Sequence, residues 1–474
     1  MKKHIRELAA KVQHIPNGRA LLVGGYVRDQ LLGIASKDAD IEVYGVPAKK
    51  LEALLRHAYP RRVNTVGRAF GVLKIAIGNG KDLDVALPRR ESKTGAGHRG
   101  FRVEGDPGMT ISEAARRRDF TINAIAQDPL TGKMEDPFDG AKDLKKKVLR
   151  VVDPKTFIED PLRVYRAAQF VARFGLTVEP ATMRLMKKMV VRGDLLQLSA
   201  ERITEELKKM LLRAERPSRG FELLRELGVI KRNWKEIWAL VGTPQEPEWH
   251  PEGDVWIHTM MVIDEAAKMI RQRARKFTED EKLAVMVGSL CHDFGKPATT
   301  KKMDGRIRSL GHEAAGETPT RSFLSRLSFG ETVRSAAIAI ATQHLKPALL
   351  FRELERGTMT KDQYTNAVRK LVSRIHPVSW RILIASAEAD YRGRGAHGPK
   401  KGVYEIGASF VAAIRRLKMH KMPPKPLLQG RDLVALGIQP GPEMGKMIQA
   451  VEDARDRGEV RTKKEALELL RSLM

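Results

Sequence analysis

The chain has 474 residues, with Lys+Arg 86 against Asp+Glu 58, a formal net charge of +28 and a pI near 10.1. That excess points to polyanionic partners and says little about fold, while an aromatic content of 5% argues against a surface that mainly stacks single-stranded bases. A single cysteine, Cys291, excludes an internal disulfide and suits a reducing cytoplasm, and no apolar run approaches the ~18 residues of a membrane-spanning helix.

The length predicts three or four domains, and Met1-Lys2-Lys3-His4 leads into a charged helix rather than an export signal. The run Leu21-Leu22-Val23 ending in Gly24-Gly25 reads as a strand entering a tight turn, and Tyr26 to Leu32 as a short helix. Glycine lets backbone approach a phosphate closely, where a helix N-terminus offers free N–H groups. Asp38, Asp40 and Glu42 then alternate with Ala39, Ile41 and Val43, so period two puts the acids on one strand face. Adjacent carboxylates repel unless a cation sits between them, and a divalent ion beside a phosphate cradle is the apparatus of nucleotidyl transfer. Ala48 to His57 reads as a helix, and Gly71 to Ile77 and Asp82 to Leu87 as strands paired across Gly78-Asn79-Gly80. Asp84 is either a third metal carboxylate or a solvated strand acid. Arg89 to Gly100 is glycine-rich and basic and reads as a mobile loop, and Ala114 to Ala126 has a helical pattern.

From 141 to 250 the chain reads as helical, without a convincing strand. Glu159-Asp160-Pro161 opens a helix on which Asp160, Arg163 and Arg166 recur at three-residue steps and share a face. Carboxylate beside guanidinium suits the reading of a base edge, although taken alone an intrahelical salt bridge is the commoner explanation.

The second half carries a separate pattern. His258 follows Trp249-His250-Pro251-Glu252, and Leu283, Met286, Val287 and Leu290 mark a buried helix that ends at Cys291-His292-Asp293, close to Gly295. His312, His344 and Asp390 lie downstream. Imidazoles with carboxylates suit a transition metal, whereas Cys291 reads as a small buried apolar residue. After about 400 the chain is helical and basic. Lys421 to Pro426 forms a charged turn, and the glycines and prolines of Gly430 to Pro442 suggest a helix–turn–helix-like corner.

Gly24-Gly25-x-Val27-Arg28-Asp29, Asp38-x-Asp40, Arg117-Arg118-Asp119-Phe120-Thr121-Ile122-Asn123-Ala124 and Glu159-Asp160-x-x-Arg163 together resemble the class II tRNA nucleotidyltransferases, the CCA-adding enzymes, and the related bacterial poly(A) polymerases. The resemblance covers roughly the first half. It implies that Asp38 and Asp40 hold Mg²⁺, that Gly25, Arg28 and Arg118 bind the incoming nucleotide, and that Asp160 and Arg163, with Arg166, select CTP or ATP. Two Mg²⁺ ions about 4 Å apart would serve an in-line displacement by the tRNA 3′-hydroxyl. Where many members carry a further Arg, this chain has Gln169. The segment Arg89 to Arg99 resembles the flexible element that full CCA-adding enzymes use when switching to ATP. His258, His292, Asp293 and Asp390 resemble the metal positions of the HD phosphohydrolases, with His312 and His344 for a second metal. The combination resembles the bacterial multifunctional CCA proteins.

The expected fold is an α/β nucleotidyltransferase head (1–140) followed by an all-α neck (141–250), an HD domain (251–400) and a helical tail (401–474). The expected activity is template-free addition or repair of the tRNA 3′-terminal CCA from CTP and ATP with Mg²⁺. Alongside it stands an HD phosphohydrolase activity on 2′-phosphates or 2′,3′-cyclic phosphates, with Ni²⁺ or Mn²⁺. A poly(A) polymerase and an HD phosphohydrolase with a degenerate head are the rivals. The protein is expected to be cytoplasmic, off the membrane, and a monomer or homodimer.

Overall fold

Strict alternation of side chains builds the sheet that carries the first set of motifs. The computed structural model describes residues 1–36, 38–66, 72–78, 80–93, 101–395, 402–419, 427–457, 459–460 and 462–473, and divides into two units, Met1–Trp238 and Ala239–Met474. In chain order the head contains α1 (Lys2–Gln13), β1 (Arg19–Val23), α2 (Gly25–Leu31), β2 (Ala39–Tyr44), α3 (Ala48–Ala58), β3 (Val63–Val66), β4 (Val72–Gly78), β5 (Lys81–Ala86), β6 (Arg89–Lys93), β7 (Phe101–Gly105), α4 (Ile111–Arg116), β8 (Ala126–Gln127) and β9 (Met134–Glu135). Seven strands form one mixed sheet in the order β3-β4-β5-β2-β1-β8-β9, in which only β2 and β5 run parallel.

One face of this sheet is the core. Ala20 and Leu22 of β1 and Ala39, Ile41 and Val43 of β2 pack against Leu8 and Val12 of α1 and Leu51 and Leu55 of α3. The residues between them face the other way, where Leu21, Val23 and Tyr44 meet Ala114 of α4. Asp40 and Glu42 share that second face by period two. The apolar residues of β2 therefore decide where its acids point.

Three expectations change in this unit. The helical pattern of Ala114 to Ala126 stops at Arg116, and a 3-10 turn at Thr121–Asn123 and β8 follow. Asp119 accepts from the Phe120 N–H at 2.8 Å and from Asn123 Nδ2 at 2.9 Å, and Thr121 N–H donates to the Arg150 carbonyl at 2.9 Å. Such local and long-range partners outcompete a helix ladder. Arg89 to Lys93, expected in a loop, is β6, paired antiparallel with β7; the rest of that expected loop, 94–100, and Asn79 of the expected hairpin turn lie outside the described residues. The neck also contains a short parallel pair, β10 (Val148–Leu149) with β11 (Thr177–Val178). At two residues each, those strands are too brief to leave a periodic signal.

Around that pair lie α5 (Gly140–Lys145), α6 (Pro154–Phe157), α7 (Leu162–Phe174), α8 (Pro180–Arg192), α9 (Ala200–Arg213) and α10 (Ser218–Glu226). α7 buries Val164, Tyr165, Ala167, Ala168 and Val171, packs on α9 and α10, and ends at Gly175 with φ 65.

The second unit is helical apart from a two-stranded ribbon, Thr300–Met303 with Arg306–Ser309. Four helices, Val255–Gln272, Glu279–Cys291, Glu331–Gln343 and Trp380–Arg392, pack on one another. Asp254 caps the first, its side chain accepting from the Ile257 N–H, and Thr278 with Glu281 forms a capping box on the second. Near the end of the chain, Gly430–Val434, Pro442–Arg457 and Lys463–Leu473 close on a small core of Leu428, Leu433, Val451, Ala466 and Leu470. Lys421 to Pro426, the expected charged turn, lies outside the described residues.

Candidate functional site

The diglycine turn between β1 and α2 opens a cavity of about 560 Å³ in the first unit. Gly25, Arg28, Asp40, Arg118, Asp160, Arg163 and Arg166 all line it, so seven of the eight residues predicted for nucleotide handling meet in one place. Asp38 does not line it and sits just before β2, exposed. Nine cationic residues on the wall (Arg28, Arg117, Arg118, Arg163, Arg166, Arg173, Arg202, Lys209, Arg213) face four acidic ones (Asp40, Asp119, Asp160, Glu206). A cavity with that balance selects an anion.

Gly24 makes the turn possible. Its φ of +67 is costly for any residue with a Cβ, and a Cβ there would also lie 2.6 Å from Arg118 Nη1. Arg118 Nη2 donates to Glu42 Oε1 at 2.8 Å and Arg117 Nη2 to the same oxygen at 3.1 Å. Tyr44 Oη donates to Glu42 Oε2 at 2.9 Å. Glu42 is thus a buried anchor that aims two arginines. Burial pushes its carboxyl up, and Arg118 and Arg117 more than reverse that, leaving it lowered.

Asp40 lies opposite Val23 on β1 and opposite Asp84 on β5. Desolvation by surrounding protein raises the Asp40 carboxyl. Arg118 opposes this, and the like charges of Asp84, Glu42 and Asp38 add to it. Asp84 is raised as well, first by desolvation, although Lys74 Nζ lies 3.6 Å from its Oδ1. Carboxylates that hinder each other's ionisation in this way suit a divalent cation held by oxygen ligands.

The arginines are positioned differently from one another. Arg28, 5% exposed, donates through Nε and Nη2 to Asp29 Oδ1 (2.8 and 2.6 Å) and through Nη1 to Asn123 Oδ1 (2.5 Å). Its guanidinium also lies over Phe174 and Phe170, at 4.7 and 5.2 Å from the ring centroids. Arg163 reaches the carbonyls of Arg117 (2.7 Å) and Thr156 (2.9 Å), tying α7 to the head motif. Arg166 Nε donates to Asp119 Oδ2 at 2.7 Å. Asp160, expected on the helix, lies just before α7, and in place of the intrahelical salt bridge it accepts from Arg202 Nη2 of α9 at 2.9 and 3.1 Å.

Arg202, Glu206, Lys209 and Arg213, which the sequence reading missed, form one stripe of α9 at steps of four, three and four. That helical spacing of polar residues is visible in the sequence, but which helix faces α7 is not.

In the second unit the predicted His258, His292, Asp293 and Asp390 converge, and His312 and His344 join them. His258 Nε2 lies 3.1 Å from Asp390 Oδ1 and 3.4 Å from His292 Nε2, and His292 Nε2 lies 3.1 Å from Asp293 Oδ2. His312 and His344 present Nε2 to Asp293 Oδ1 at 3.5 and 3.8 Å. Three helices deliver their C-terminal ends here, through His292, His344 and Asp390, and the partial negative charge of such ends favours a cation. Each outer ring nitrogen is tied. Nδ1 of His292, His312 and His344 donates to the carbonyls of Ser289, Ser309 and Ile340 at 2.8, 2.8 and 3.1 Å. Nδ1 of His258 donates to Glu252 Oε1 at 2.8 Å. This fixes the tautomer that leaves Nε2 as a ligand atom.

Burial carries His344 down to about 3, aided by the charge of His292, and also lowers His312; both imidazoles are neutral at pH 7, as a metal requires. Asp293 Oδ1 and Oδ2 and His312 Nε2 are buried without a hydrogen bond, although Lys296 Nζ sits 2.7 Å from Asp293 Oδ2. Among the described residues, three groups of close ligand atoms suited to a metal occur, and all lie in this unit: His250-Glu252-His258, His258-His292-Asp293 and Asp293-His312-His344. Buried donor atoms left unsatisfied around one carboxylate fit a transition metal site. Gly295 permits the packing, since a Cβ there would collide with the His312 carbonyl. Cys291 is fully buried and belongs to none of these groups.

The mixed sheet, its diglycine turn and the helices completing the cavity define a nucleotidyltransferase head followed by a helical region. Residues 20–150 match the poly A polymerase head domain, and 175–240 match the probable RNA and SrmB-binding site of polymerase A. The chain is 36% identical over 430 residues to the multifunctional CCA protein of Xanthomonas oryzae pv. oryzae (strain MAFF 311018), covering 90% of this chain and 95% of that protein. It is 38% identical over 378 residues to that of Methylobacillus flagellatus, covering 79% and 84%. The chain belongs to the family of the multifunctional CCA proteins. Its fold is shared with a CCA-adding enzyme in apo form II (TM-score 0.61, 22% identity, 100% of this chain and 96% of that one). It is shared too with the Thermotoga maritima CCA-adding enzyme complexed with tRNA(CCA) (TM-score 0.56, 22% identity, 100% and 95%).

Proposed function

We propose that the chain adds or repairs the 3′-terminal CCA of tRNA from CTP and ATP without a nucleic-acid template. The observation that carries this reading is the single cationic cavity in which Gly25, Arg28, Asp40 and Arg118 of the head meet Asp160, Arg163 and Arg166 of the neck. Asp40 in the cavity and Asp38 just before β2 are the Mg²⁺ ligands, supported by the mutual repulsion of the carboxylates around Asp40. Mg²⁺ bound there supplies charge neutralisation for the phosphates and the attacking 3′-oxygen. Gly25 offers backbone to the triphosphate, Arg118 is aimed by Glu42, and Arg28 is a rigid cationic wall. Asp160 and Arg163 present an acceptor and donors to a base edge, and Arg202 sets the orientation of Asp160. No protein base is required, because positioning and charge dominate this class of transfer.

The four-part organisation, with a head to residue 140, a neck to 250, an HD domain to 400 and a tail beyond, belongs to the same reading, as does a cytoplasmic location. Incubation with tRNA lacking its 3′ end tests it. Extension by C, C and A followed by a stop is expected, and Asp40→Ala abolishes extension while tRNA affinity stays within about twofold. Long A tails would select a poly(A) polymerase, and ordinary turnover by Asp40→Ala would remove the metal assignment.

The second unit supports a further reading as an HD phosphohydrolase. His258, His292, Asp293 and Asp390 hold one ion, and His312 and His344 complete a second around Asp293, with Ni²⁺ or Mn²⁺ as the fitting metals. The buried carboxylate of Asp293, ringed by Nε2 of His292, His312 and His344, supports it. Such an ion supplies an activated water and a Lewis acid for phosphoester hydrolysis. Hydrolysis of a 2′,3′-cyclic nucleotide in the presence of Ni²⁺ or Mn²⁺ is expected; no turnover with any transition metal defeats it.

A further inference from the structure

One wall of the nucleotide cavity gathers amide and guanidinium donors that are not hydrogen-bonded to any acceptor among the described residues. Gln169, 1% exposed, lines the cavity with its Nε2 buried and without a hydrogen-bond partner. Arg173, one turn further along α7, and Arg213, at the end of α9, line the same wall. Among the described residues neither guanidinium has a carboxylate or carbonyl within bonding distance; Arg173 only lies over the Phe174 ring, at 4.7 Å. Of the acids that act on Arg173, Asp29 is held by Arg28 at 2.6 Å and Glu206 by Lys209 through Oε1 at 2.7 Å, while Glu206 Oε2 is buried without a hydrogen bond. Burial first, then the like charges of Arg28 and Arg213, bring Arg173 down to about 10, with Asp29 and Glu206 opposing. A buried amide donor beside two mutually repelling guanidiniums is an arrangement that an anion stabilises.

We infer that Gln169, Arg173 and Arg213 form a subsite for the outer phosphates of the incoming nucleoside triphosphate, and hence for the pyrophosphate that leaves. Position along α7 favours this phosphate source over the tRNA backbone. Arg163 and Arg173 are ten residues apart, roughly 15 Å of helix, comparable to the span of an extended triphosphate from base edge to terminal phosphate. With the base read at Asp160 and Arg163, the far end of the nucleotide reaches this wall. The inference rests on that reading of the cavity.

Steady-state kinetics with CTP and ATP, together with inhibition by inorganic pyrophosphate, test it. Arg173→Gln and Arg213→Gln each raise the triphosphate KM about tenfold or more, as loss of a charged hydrogen bond implies, and the inhibition constant of pyrophosphate rises in step. Gln169→Glu, equal in size and negative, raises both at least as much. The KM for tRNA stays within about twofold. Arg213 is exposed, so its replacement leaves the fold intact even where Arg173→Gln does not. Unchanged triphosphate KM and pyrophosphate inhibition overturn the subsite, and so does a rise confined to the KM for tRNA. Unchanged Arg173→Gln beside an inactive Asp40→Ala removes the subsite alone, whereas an active Asp40→Ala removes the reading beneath it.

Discussion

Gly24 shows how much one absent atom decides. The turn requires a positive φ, and Arg118 Nη1 occupies the space a Cβ would take. Gly24→Ala therefore costs about 1–2 kcal/mol from the backbone alone and displaces the guanidinium. A lower melting temperature together with a raised triphosphate KM is expected, and a raised KM without any loss of stability would contradict the backbone argument. Asp119 makes a different point. Burial pushes its carboxyl up, but Arg166, Asn123 and Arg163 more than reverse this, so it is lowered in the folded protein. Its contribution is then complete above the ordinary value of 3.8 and is lost as pH falls below that value toward the folded one. Asp119→Asn should cost roughly 1–3 kcal/mol near pH 7 and flatten the acid side of the stability curve. Unfolding curves between pH 7 and about 3 measure both.

At the scale of elements, β2 and α7 carry the site through two different periodicities. β2 sends Ala39, Ile41 and Val43 into the core, so Asp40 and Glu42 take the other face, where Asp40 lines the cavity and Glu42 is buried beneath Arg117 and Arg118. α7 buries its apolar face on α9 and α10 and presents Arg163 and Arg166 to the cavity, with Asp160 just before its first turn. The link between α7 and α9 is the Asp160–Arg202 pair, whose side chains are 31% and 27% exposed. A double-mutant cycle of Asp160→Asn with Arg202→Gln is expected to give a coupling of about 0.5–1 kcal/mol. Because Arg202 orients the carboxylate, Arg202→Gln also weakens discrimination between CTP and ATP, with the KM for tRNA little changed. Misincorporation assays decide; unaltered selectivity would leave Arg202 as a structural tie only.

At the scale of the whole molecule, two chemically distinct sets of side chains sit in one chain: clustered carboxylates in the first unit, imidazoles with carboxylates in the second. After dialysis against a chelator, Mg²⁺ alone is expected to restore C and A addition, and Ni²⁺ or Mn²⁺ to be needed for cyclic phosphoester hydrolysis. Restoration of both by Mg²⁺ would contradict separate sites.

By itself the sequence determined the periodic and the local. The β2 alternation, the end of the helix at His292-Asp293 and the shared face of Arg163 and Arg166 are short-range patterns, because side-chain direction along a strand or helix follows from backbone geometry. Only the tertiary structure decided which patterns meet. It turned Glu42 from a cavity acid into a buried anchor for Arg117 and Arg118, gave Asp160 a partner on α9, broke the helix expected through Asp119, and brought Arg173 and Arg213 to one wall of the cavity. Those outcomes depend on contacts between residues tens to more than a hundred positions apart, such as Glu42 with Arg118 and His258 with Asp390, and no local spacing encodes which distant side chain will fill a given space.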